Sequence, residues 1–199
     1  MEKGLLIILS GPSGAGKGTI LNGAKKSGLG FALSISVTTR KPRENEIDGI
    51  NYFFKSKEEV CLMRANNEFL EVKDVYDHMY GTSRKFVEDN LNAGRDVVLE
   101  IDTQGALEVK SKMPDAVMIF VVPENLETLR ARLIGRGTET LEQVNKRFGQ
   151  AMTEINSAEK YDYLLINDNL DKCISEFIAI ITAEKRKINR NMNMIKSFQ

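Results

Sequence analysis

The sequence predicts an α/β protein built on a largely parallel, doubly wound sheet. Short apolar runs that are typical of buried strands alternate along the chain with segments that have helical spacing. A glycine-rich loop joins the first predicted strand directly to the first predicted helix. The chain has 199 residues, of which 42% are hydrophobic and 28% are charged, so its length and composition fit one globular domain.

The elements of the first half follow from the apolar pattern. Residues 5–9 are all apolar and lead to Ser10, which predicts a buried strand over 5–10, and 17–26 has the spacing of a helix that ends before a glycine. Apolar and small residues alternate over 31–36, which predicts a half-buried strand. The charged stretch 38–51 contains proline and glycine, so an exposed loop is expected there.

A capping box marks the next helix. Ser56 and Glu59 stand three residues apart, the spacing of reciprocal capping at a helix start, which predicts a helix of about ten residues. The remaining predicted strands are 69–75, 96–101, 116–122 and 163–166. The remaining predicted helices are 83–93, 126–134, 140–156 (from a second capping box at Thr140) and a last one from about 170. The chain beyond 185 is polar, and we expect a solvated, fraying tail.

Charge and cysteine content exclude several classes of partner. Lys+Arg and Asp+Glu both number 28, so neither nucleic acid nor an acidic membrane is expected as a partner. No apolar run approaches the roughly 20 residues of a membrane helix, and the first strand begins too early for a signal peptide. Cys61 and Cys173 are far apart and His78 has no ligand-spaced neighbour, which favours a reducing cytoplasm and disfavours a transition-metal site. The oligomeric state, monomer or homo-oligomer, stays open.

The loop after the first strand has the pattern of a phosphate-binding P-loop. Its residues are Gly11, Pro12, Ser13, Gly14, Ala15, Gly16, Lys17, Gly18 and Thr19. Glycines let several backbone N–H groups point to one place, and the following helix adds unpaired N–H groups and the positive end of its dipole. Lys17 supplies a full charge for the terminal phosphates. The strict pattern has Ser or Thr directly after the lysine; here Gly18 stands there, and we expect Thr19 to serve the phosphate or Mg²⁺ side.

A second anion site is predicted in the loop that follows residue 36. Arg40 and Arg43 stand three residues apart, and guanidinium groups match phosphate bidentately. With the hydroxyls of Tyr52 and Tyr80 they would hold a phosphate dianion. Because a donor phosphate needs an acceptor, we interpret this cluster as the acceptor's clamp.

The chain resembles the guanylate kinase family over about residues 4–184. The motifs that carry the resemblance occur in the family's order: GPSGAGKGT at 11–19, SVTTRKPRENEIDGINYFF at 36–54, EFLE at 68–71, YGT at 80–82, LEIDTQG at 99–105, GRGTET at 135–140, NKR at 145–147 and LLINDNL at 164–170. The sequence departs from many relatives at Glu100, where they have Asp, and at Thr82, where they have Ser. Both changes keep the chemical group.

This resemblance implies a kinase that transfers the γ-phosphoryl group of ATP to GMP or dGMP with Mg²⁺. It implies a core (4–35, 84–125 and 156–184), an inserted GMP-binding subdomain (36–83), a helical lid (126–155) and a polar tail (185–199). The residues implied to contact guanine are Ser36, Glu71, Thr82 and Asp102, and those implied to bind the GMP phosphate are Arg40, Arg43, Tyr52 and Tyr80. The lid would bring Arg132, Arg136 and Arg147, and Asn167 would lie near adenine. The candidates for Mg²⁺, directly or through water, are Thr19, Glu100 and Asp102.

The chemistry of these side chains is consistent with a guanine site. Guanine presents an N1–H and an exocyclic amine as donors beside a carbonyl acceptor. Carboxylates such as Glu71 and Asp102 accept from those donors, and hydroxyls such as Ser36 and Thr82 donate to the carbonyl. Adenine lacks the N1–H, so buried groups of this site would stay unpaired with it.

Two alternatives stay open from the sequence. The chain could phosphorylate another nucleoside monophosphate, which the pair of base-contacting carboxylates disfavours. It could instead be a catalytically inactive guanylate-kinase-like binding module, but such modules tend to lose the P-loop glycines and lysine. This chain keeps Gly16, Lys17 and the arginine clamp.

Overall fold

The computed structural model describes residues 3–75, 77–134 and 141–198. The strands are β1 (Leu6–Ser10), β2 (Ala32–Leu33), β3 (Val37–Thr38), β4 (Phe53–Phe54), β5 (Phe69–Val75), β6 (His78–Ser83), β7 (Val97–Glu100), β8 (Val117–Pro123) and β9 (Tyr163–Asn167). The α-helices are α1 (Lys17–Lys26), α2 (Lys57–Ala65), α3 (Arg84–Asn92), α4 (Thr103–Lys112), α5 (Leu126–Ile134), α6 (Leu141–Ile155), α7 (Leu170–Lys185) and α8 (Met192–Lys196).

Five strands form the parallel sheet that the sequence predicts, in the order β2-β7-β1-β8-β9. The strand β1 lies at the centre, between β7 and β8, and all five of its residues are buried. A strand covered on both faces needs apolar residues on both of them, which is why 5–9 is a continuous apolar run rather than an alternating one. Ser10 is buried as well, and its hydroxyl donates to the Ile101 carbonyl at 2.8 Å.

Helices cover both faces of this sheet, so the doubly wound prediction is confirmed. Side chains of β1 alternate between two apolar cores because successive residues of a strand point to opposite faces. Ile7 and Leu9 pack in one core with residues of α1 and α7, including Phe177. Leu6 and Ile8 pack in the other with residues of α3 and α4.

A second sheet lies within the segment 36–83. Its four strands have the order β4-β3-β6-β5, and β5 and β6 form an antiparallel hairpin. The prediction of β5 over 69–75 is confirmed, whereas β6 was not predicted because His78–Ser83 lacks an apolar alternation. The predicted half-buried strand over 31–36 is shorter, since only Ala32–Leu33 pairs with β7.

Helix starts follow their capping signals. The Ser56 hydroxyl accepts from the Glu59 N–H at 3.1 Å, and the Glu59 carboxylate accepts from the Ser56 N–H at 2.7 Å, so the predicted capping box is confirmed. The bounds of α1 and α5 match the predicted ranges. The helix α4 was not predicted; it begins after Asp102, whose carboxylate accepts from the Gly105 N–H at 2.9 Å. The second predicted capping box, at Thr140, lies outside the described residues.

The C-terminal tail differs from the fraying segment that the sequence predicts. After α7 it forms a helical turn, Ile188–Arg190, and then the short α8. The Arg190 guanidinium donates to the Lys3 and Gly4 carbonyls at 3.2 and 3.1 Å, which holds the tail against the chain that enters β1. Within the described ranges, none of the helices has both the length and the apolar character to cross a membrane.

Candidate active site

The glycine-rich loop lies where β1 ends and α1 begins. Gly11 has φ +142°, and a Cβ there would fall 2.1 Å from the Val121 carbonyl oxygen of β8. Gly16 precedes α1 with a left-handed φ of +94°, and a Cβ there would fall 2.3 Å from the Asn167 amide nitrogen. Neither place admits a side chain, because the loop is pressed against the carboxyl ends of β8 and β9. The loop therefore turns tightly and leads into the N-terminus of α1, where backbone N–H groups have no partner within the helix.

Lys17 folds back over this loop. Its ammonium donates to the Gly11 carbonyl at 2.6 Å and to the Pro12 carbonyl at 3.3 Å. Beside it a cavity of about 460 Å³, the loop cavity, is lined by Ser13, Gly14, Gly16, Lys17, Gly18, Thr19, Asn22 and Glu100. Desolvation raises the pKa of Glu100, while the positive charge of Lys17 acts in the opposite direction. The loop cavity thus combines backbone N–H groups, an ammonium and one carboxylate.

Asn167 supports the loop from beneath. Its side chain is buried, and its amide donates to the Ala15 carbonyl at 2.7 Å. The sequence-based expectation that Asn167 lies near adenine stays a prediction; the contact that the structure shows is with the loop backbone. Arg132 of α5 reaches the same place, where its guanidinium donates to the Asn167 carbonyl at 3.2 Å and contacts the Ala15 carbonyl at 3.5 Å.

The segment 126–155 contributes a second arginine to the loop. Arg147 of α6 donates to the Ser13 hydroxyl. Arg132 and Arg147 therefore meet the P-loop from two different helices. Arg136 lies outside the described residues.

Arg40 lies at the centre of a charged and aromatic cluster. Its guanidinium forms two bonds of 2.8 Å to the two carboxylate oxygens of Glu46, which raises the pKa of Arg40. It also lies over the rings of Tyr52 and Phe54, at 5.3 and 5.8 Å from their centroids. Tyr80 contacts Tyr52 edge-on, with ring centroids 6.0 Å apart. Arg40, Tyr52 and Tyr80, predicted to share one anion site, are thus brought together.

Glu46 joins the two predicted phosphate-binding arginines. Besides pairing with Arg40, its carboxylate accepts from the backbone N–H of Arg43 at 2.8 Å. These bonds, that to Arg40 first, lower the pKa of Glu46 to about 2. The Arg43 residue itself is exposed. Sequence analysis missed Glu46, although its position three residues after Arg43 in the same loop was a usable signal.

The predicted base-contacting residues lie at the junction of the hairpin with α4. Glu71 is buried, and its carboxylate accepts from the Thr82 hydroxyl at 2.7 Å. Burial raises the pKa of Glu71, and the Thr82 bond opposes that shift. Asp102, which caps α4, forms an ion pair with Lys73 of β5. A Cβ on Gly105 would lie 3.2 Å from Glu71, so the turn capped by Asp102 packs directly on the Glu71 carboxylate.

A second cavity connects these two groups of residues. This central cavity, of about 480 Å³, is lined by Gly11, Ser13, Lys17, Leu33, Ser34, Ser36, Asn51, Tyr52, Glu100, Ile101, Asp102 and Glu154. Ser13, Lys17 and Glu100 line both the loop cavity and the central cavity, so the two spaces are neighbours across the P-loop lysine. A further cavity of about 410 Å³ lies beside Gly4 and Asp96 at the opposite edge of the sheet and contains none of the predicted site residues.

Sequence analysis missed two more charged residues of the central region. Lys73 stands two positions after Glu71, the spacing that places both side chains on one face of a strand. Glu154 of α6 lines the central cavity opposite the P-loop, and burial raises its pKa while Lys17 lowers it. Glu154 carried no sequence signal, because only tertiary packing brings the end of α6 to this cavity.

Comparison with known proteins identifies guanylate kinases as relatives of this chain. A guanylate kinase of Caldanaerobacter subterraneus is 52% identical over 193 residues, which cover 97% of this chain and 94% of that protein. A guanylate kinase of Clostridioides difficile is 47% identical and covers 98% of this chain and 95% of its own length. The crystal structure of guanylate kinase from Anaplasma phagocytophilum superposes with a TM-score of 0.76 at 31% identity, covering 96% of this chain and 90% of that one.

A model of the guanylate kinase family matches residues 3–184, nearly the whole described chain. That range includes the P-loop, the Arg40 cluster, the Glu71 hairpin and both arginine-bearing helices. It ends one residue before the end of α7. From its fold, its site and these relatives, the chain belongs to the guanylate kinase family.

Proposed function

We propose that this protein transfers the γ-phosphoryl group of ATP to GMP, giving ADP and GDP. The observation that carries the proposal is the pair of neighbouring cavities, which share Lys17 as a common wall. One cavity is lined by the P-loop, and the lining of the other includes three of the residues expected to hold the acceptor, Ser36, Tyr52 and Asp102. A phosphoryl group that moves between them stays within reach of the same ammonium throughout.

Catalysis here consists of positioning and charge neutralisation. Phosphoryl transfer spreads negative charge over the moving group, and in-line placement of donor and acceptor supplies much of the rate. The P-loop N–H groups and Lys17 would bind the β- and γ-phosphates of ATP. Arg132 and Arg147 already contact the loop, at Ala15 and Ser13, so they approach the transferring group from the lid side, as Arg136 would. A phosphate oxygen of GMP is itself anionic, so the reaction requires no general base.

Mg²⁺ fits the oxygen donors of the loop cavity. Thr19 and Glu100 line that cavity together, and hydroxyl, carboxylate and phosphate oxygens are the ligands that Mg²⁺ prefers. We propose that these two residues hold the ion with the ATP phosphates, where it would neutralise charge on the transferred group. Asp102 fits this role less well, because its carboxylate is engaged by Lys73 and by the start of α4.

The acceptor would bind in and beside the central cavity. Arg40, Arg43, Tyr52 and Tyr80 would take the GMP phosphate. Glu71 and Asp102 would accept from guanine's N1–H and amine, and Ser36 and Thr82 would contact its carbonyl side. These residues are assigned to the base and the phosphate, and none of them to the ribose 2′-hydroxyl that dGMP lacks. We therefore propose dGMP as an acceptor too.

We propose that segments 36–83 and 126–155 close over the bound nucleotides while the rest of the domain stays in place. Both contribute side chains to the central cavity, Tyr52 from one and Glu154 from the other. Closure would exclude water, which otherwise competes with GMP for the phosphoryl group. A cytoplasmic location is proposed because both cysteines, Cys61 and Cys173, are free thiols.

The test is an acceptor panel. ADP formation from ATP is measured with GMP, dGMP, AMP, UMP and dTMP, for the wild type and for Lys17→Ala. We expect strong turnover with the two guanine monophosphates only, and its loss in the variant. Turnover with none of them would indicate a binding module, and a preference for AMP would contradict the assignment of Glu71 and Asp102.

A further inference from the structure

Lys73 occupies an unusual place for a lysine. It stands two residues after Glu71 on β5, so both side chains extend from the same face of the strand, opposite Tyr80 and Thr82 of β6. Its side chain is only 18% exposed, whereas lysines are rarely buried unless they are paired. Its ammonium bonds to the Asp102 carboxylate. A largely buried cation therefore connects the hairpin of the 36–83 segment to the first turn of α4.

This contact fixes the orientation of Asp102. The side chain of Asp102 is 49% exposed and borders the central cavity, so packing alone does not hold it. Its Oδ1 atom accepts both from Lys73 and from the Gly105 N–H, the latter at 2.9 Å. With Oδ1 taken by these two donors, Oδ2 is the oxygen that Asp102 presents to a bound molecule.

The same cation lies among like charges. Glu71 packs against the turn that Asp102 caps, so two carboxylates face one small region, and like charges repel when they are held together. From α4, the negative charge of Glu108 also acts on Glu71. Lys73 is the positive group that faces both Glu71 and Asp102.

We infer that Lys73 is a positioning residue for base recognition, which holds Asp102 beside Glu71 so that both carboxylates accept from one purine. This inference rests on the proposed function. Both carboxylates can accept hydrogen bonds from one base only if that base offers a ring N–H and an exocyclic amine together. Guanine offers both, whereas hypoxanthine, the base of IMP, keeps the ring N–H and lacks the amine. Lys73 thus contributes to the preference for GMP over IMP.

The experiment compares four forms of the full chain. Lys73→Met removes the charge and keeps the stem, and Lys73→Arg restores a cation. Lys85→Met is the matched control, because it removes an exposed lysine of α3 that pairs with Asp89 at 2.9 Å, away from both cavities. For each form, KM and kcat are measured for GMP and ATP, together with the inhibition constant of IMP and the thermal midpoint.

The expected result is selective. In Lys73→Met, KM for GMP rises about five- to tenfold, the loss of roughly one hydrogen bond's net contribution, while kcat and KM for ATP are unchanged. The preference for GMP over IMP, measured as the inhibition constant of IMP divided by KM for GMP, falls by a similar factor. The reason is that IMP has no amine to donate to Asp102. Lys73→Arg restores both values, and Lys85→Met resembles the wild type. If Lys73→Met does not fold, Lys73→Gln replaces it in the same comparison.

Two outcomes refute the role of Lys73, and a third refutes the proposed function on which it rests. If the wild type phosphorylates GMP and the neutral variant keeps both its KM for GMP and its GMP preference, the role of Lys73 is refuted. Equal increases in KM for GMP and ATP with an unchanged preference also refute it, since they indicate a structural contribution alone. If the wild type does not phosphorylate GMP, the proposed function itself fails.

Discussion

Replacing Asn167 by alanine tests whether the hydrogen bond that supports the P-loop backbone controls ATP binding. The side-chain amide donates to the Ala15 carbonyl at 2.7 Å, and both residues are buried, with exposed fractions of 6% and 0%. In the variant the Ala15 carbonyl keeps the weak 3.5 Å contact from Arg132 but loses its 2.7 Å bond, and loss of a hydrogen bond to a buried acceptor costs about 1–3 kcal/mol. In a chain of this size each kcal/mol lowers the midpoint of thermal unfolding by about 2–4 °C, so we expect a decrease of roughly 2–12 °C.

The kinetic effect should fall on one substrate. If displacement of the loop weakens ATP binding by about 1–2 kcal/mol, KM for ATP rises roughly 5- to 30-fold. KM for GMP should stay unchanged, because Asn167 lies under the loop and away from the Arg40 cluster. Thermal unfolding and steady-state kinetics with each nucleotide varied in turn measure both effects.

Asn169→Ala is the matched control. Asn169 caps α7, where its side chain accepts from the Lys172 N–H at 3.0 Å, and loss of a helix cap costs about 1 kcal/mol. This variant should lose stability with no change in KM for ATP. An Asn167→Ala protein with unaltered KM for ATP, or with equal increases for ATP and GMP, would refute the argument that Asn167 acts through the loop.

Three further predictions concern other parts of the site. Arg43→Ala should raise KM for GMP far more than KM for ATP, and equal increases would remove Arg43 from the acceptor clamp. Gly11→Ala should abolish most ATP turnover, because a Cβ would lie 2.1 Å from the Val121 carbonyl oxygen; a crystal structure with an unshifted loop would contradict this. Glu71→Gln should flatten the pH dependence of stability. Folding raises the pKa of Glu71, so ionisation of Glu71 destabilises the wild type as pH rises above about 4.5, the ordinary pKa of glutamate. Denaturant unfolding across pH should show a smaller loss in the variant, in which Glu100 and Glu154 keep their raised pKa values.

The fold was predictable wherever local sequence and burial agree. Residues 5–9 are apolar because β1 is covered by helices on both faces, and this pattern is visible without the structure. The capping pair Ser56 and Glu59 marks the start of α2 because its bonds join residues three apart. By contrast, β6 is stabilised by pairing with β5 and β3, so nothing within 78–83 itself reveals a strand.

The site divides in the same way. The P-loop could be recognised because its phosphate-binding groups are backbone N–H groups of consecutive residues and one lysine. The partners of the other charged residues could not be recognised from the sequence. Arg40 could pair with any nearby acid, and Lys73 is 29 positions from Asp102. Glu154 reaches the central cavity only because α6 packs over the loop.

By itself, the sequence determined the α/β class and the glycine-rich loop between the first strand and the first helix, because both depend on contacts between near neighbours in the chain. The candidate site residues beyond this loop and the acceptor's clamp came from the resemblance to a family. Only the tertiary structure decided that Lys17 borders two cavities, that Glu46 joins the arginine clamp and that Lys73 holds Asp102. The physical reason is that the ion pair of Lys73 and the neighbouring cavities form when the sheet, the hairpin and α4 are packed together, and their distances follow from that packing.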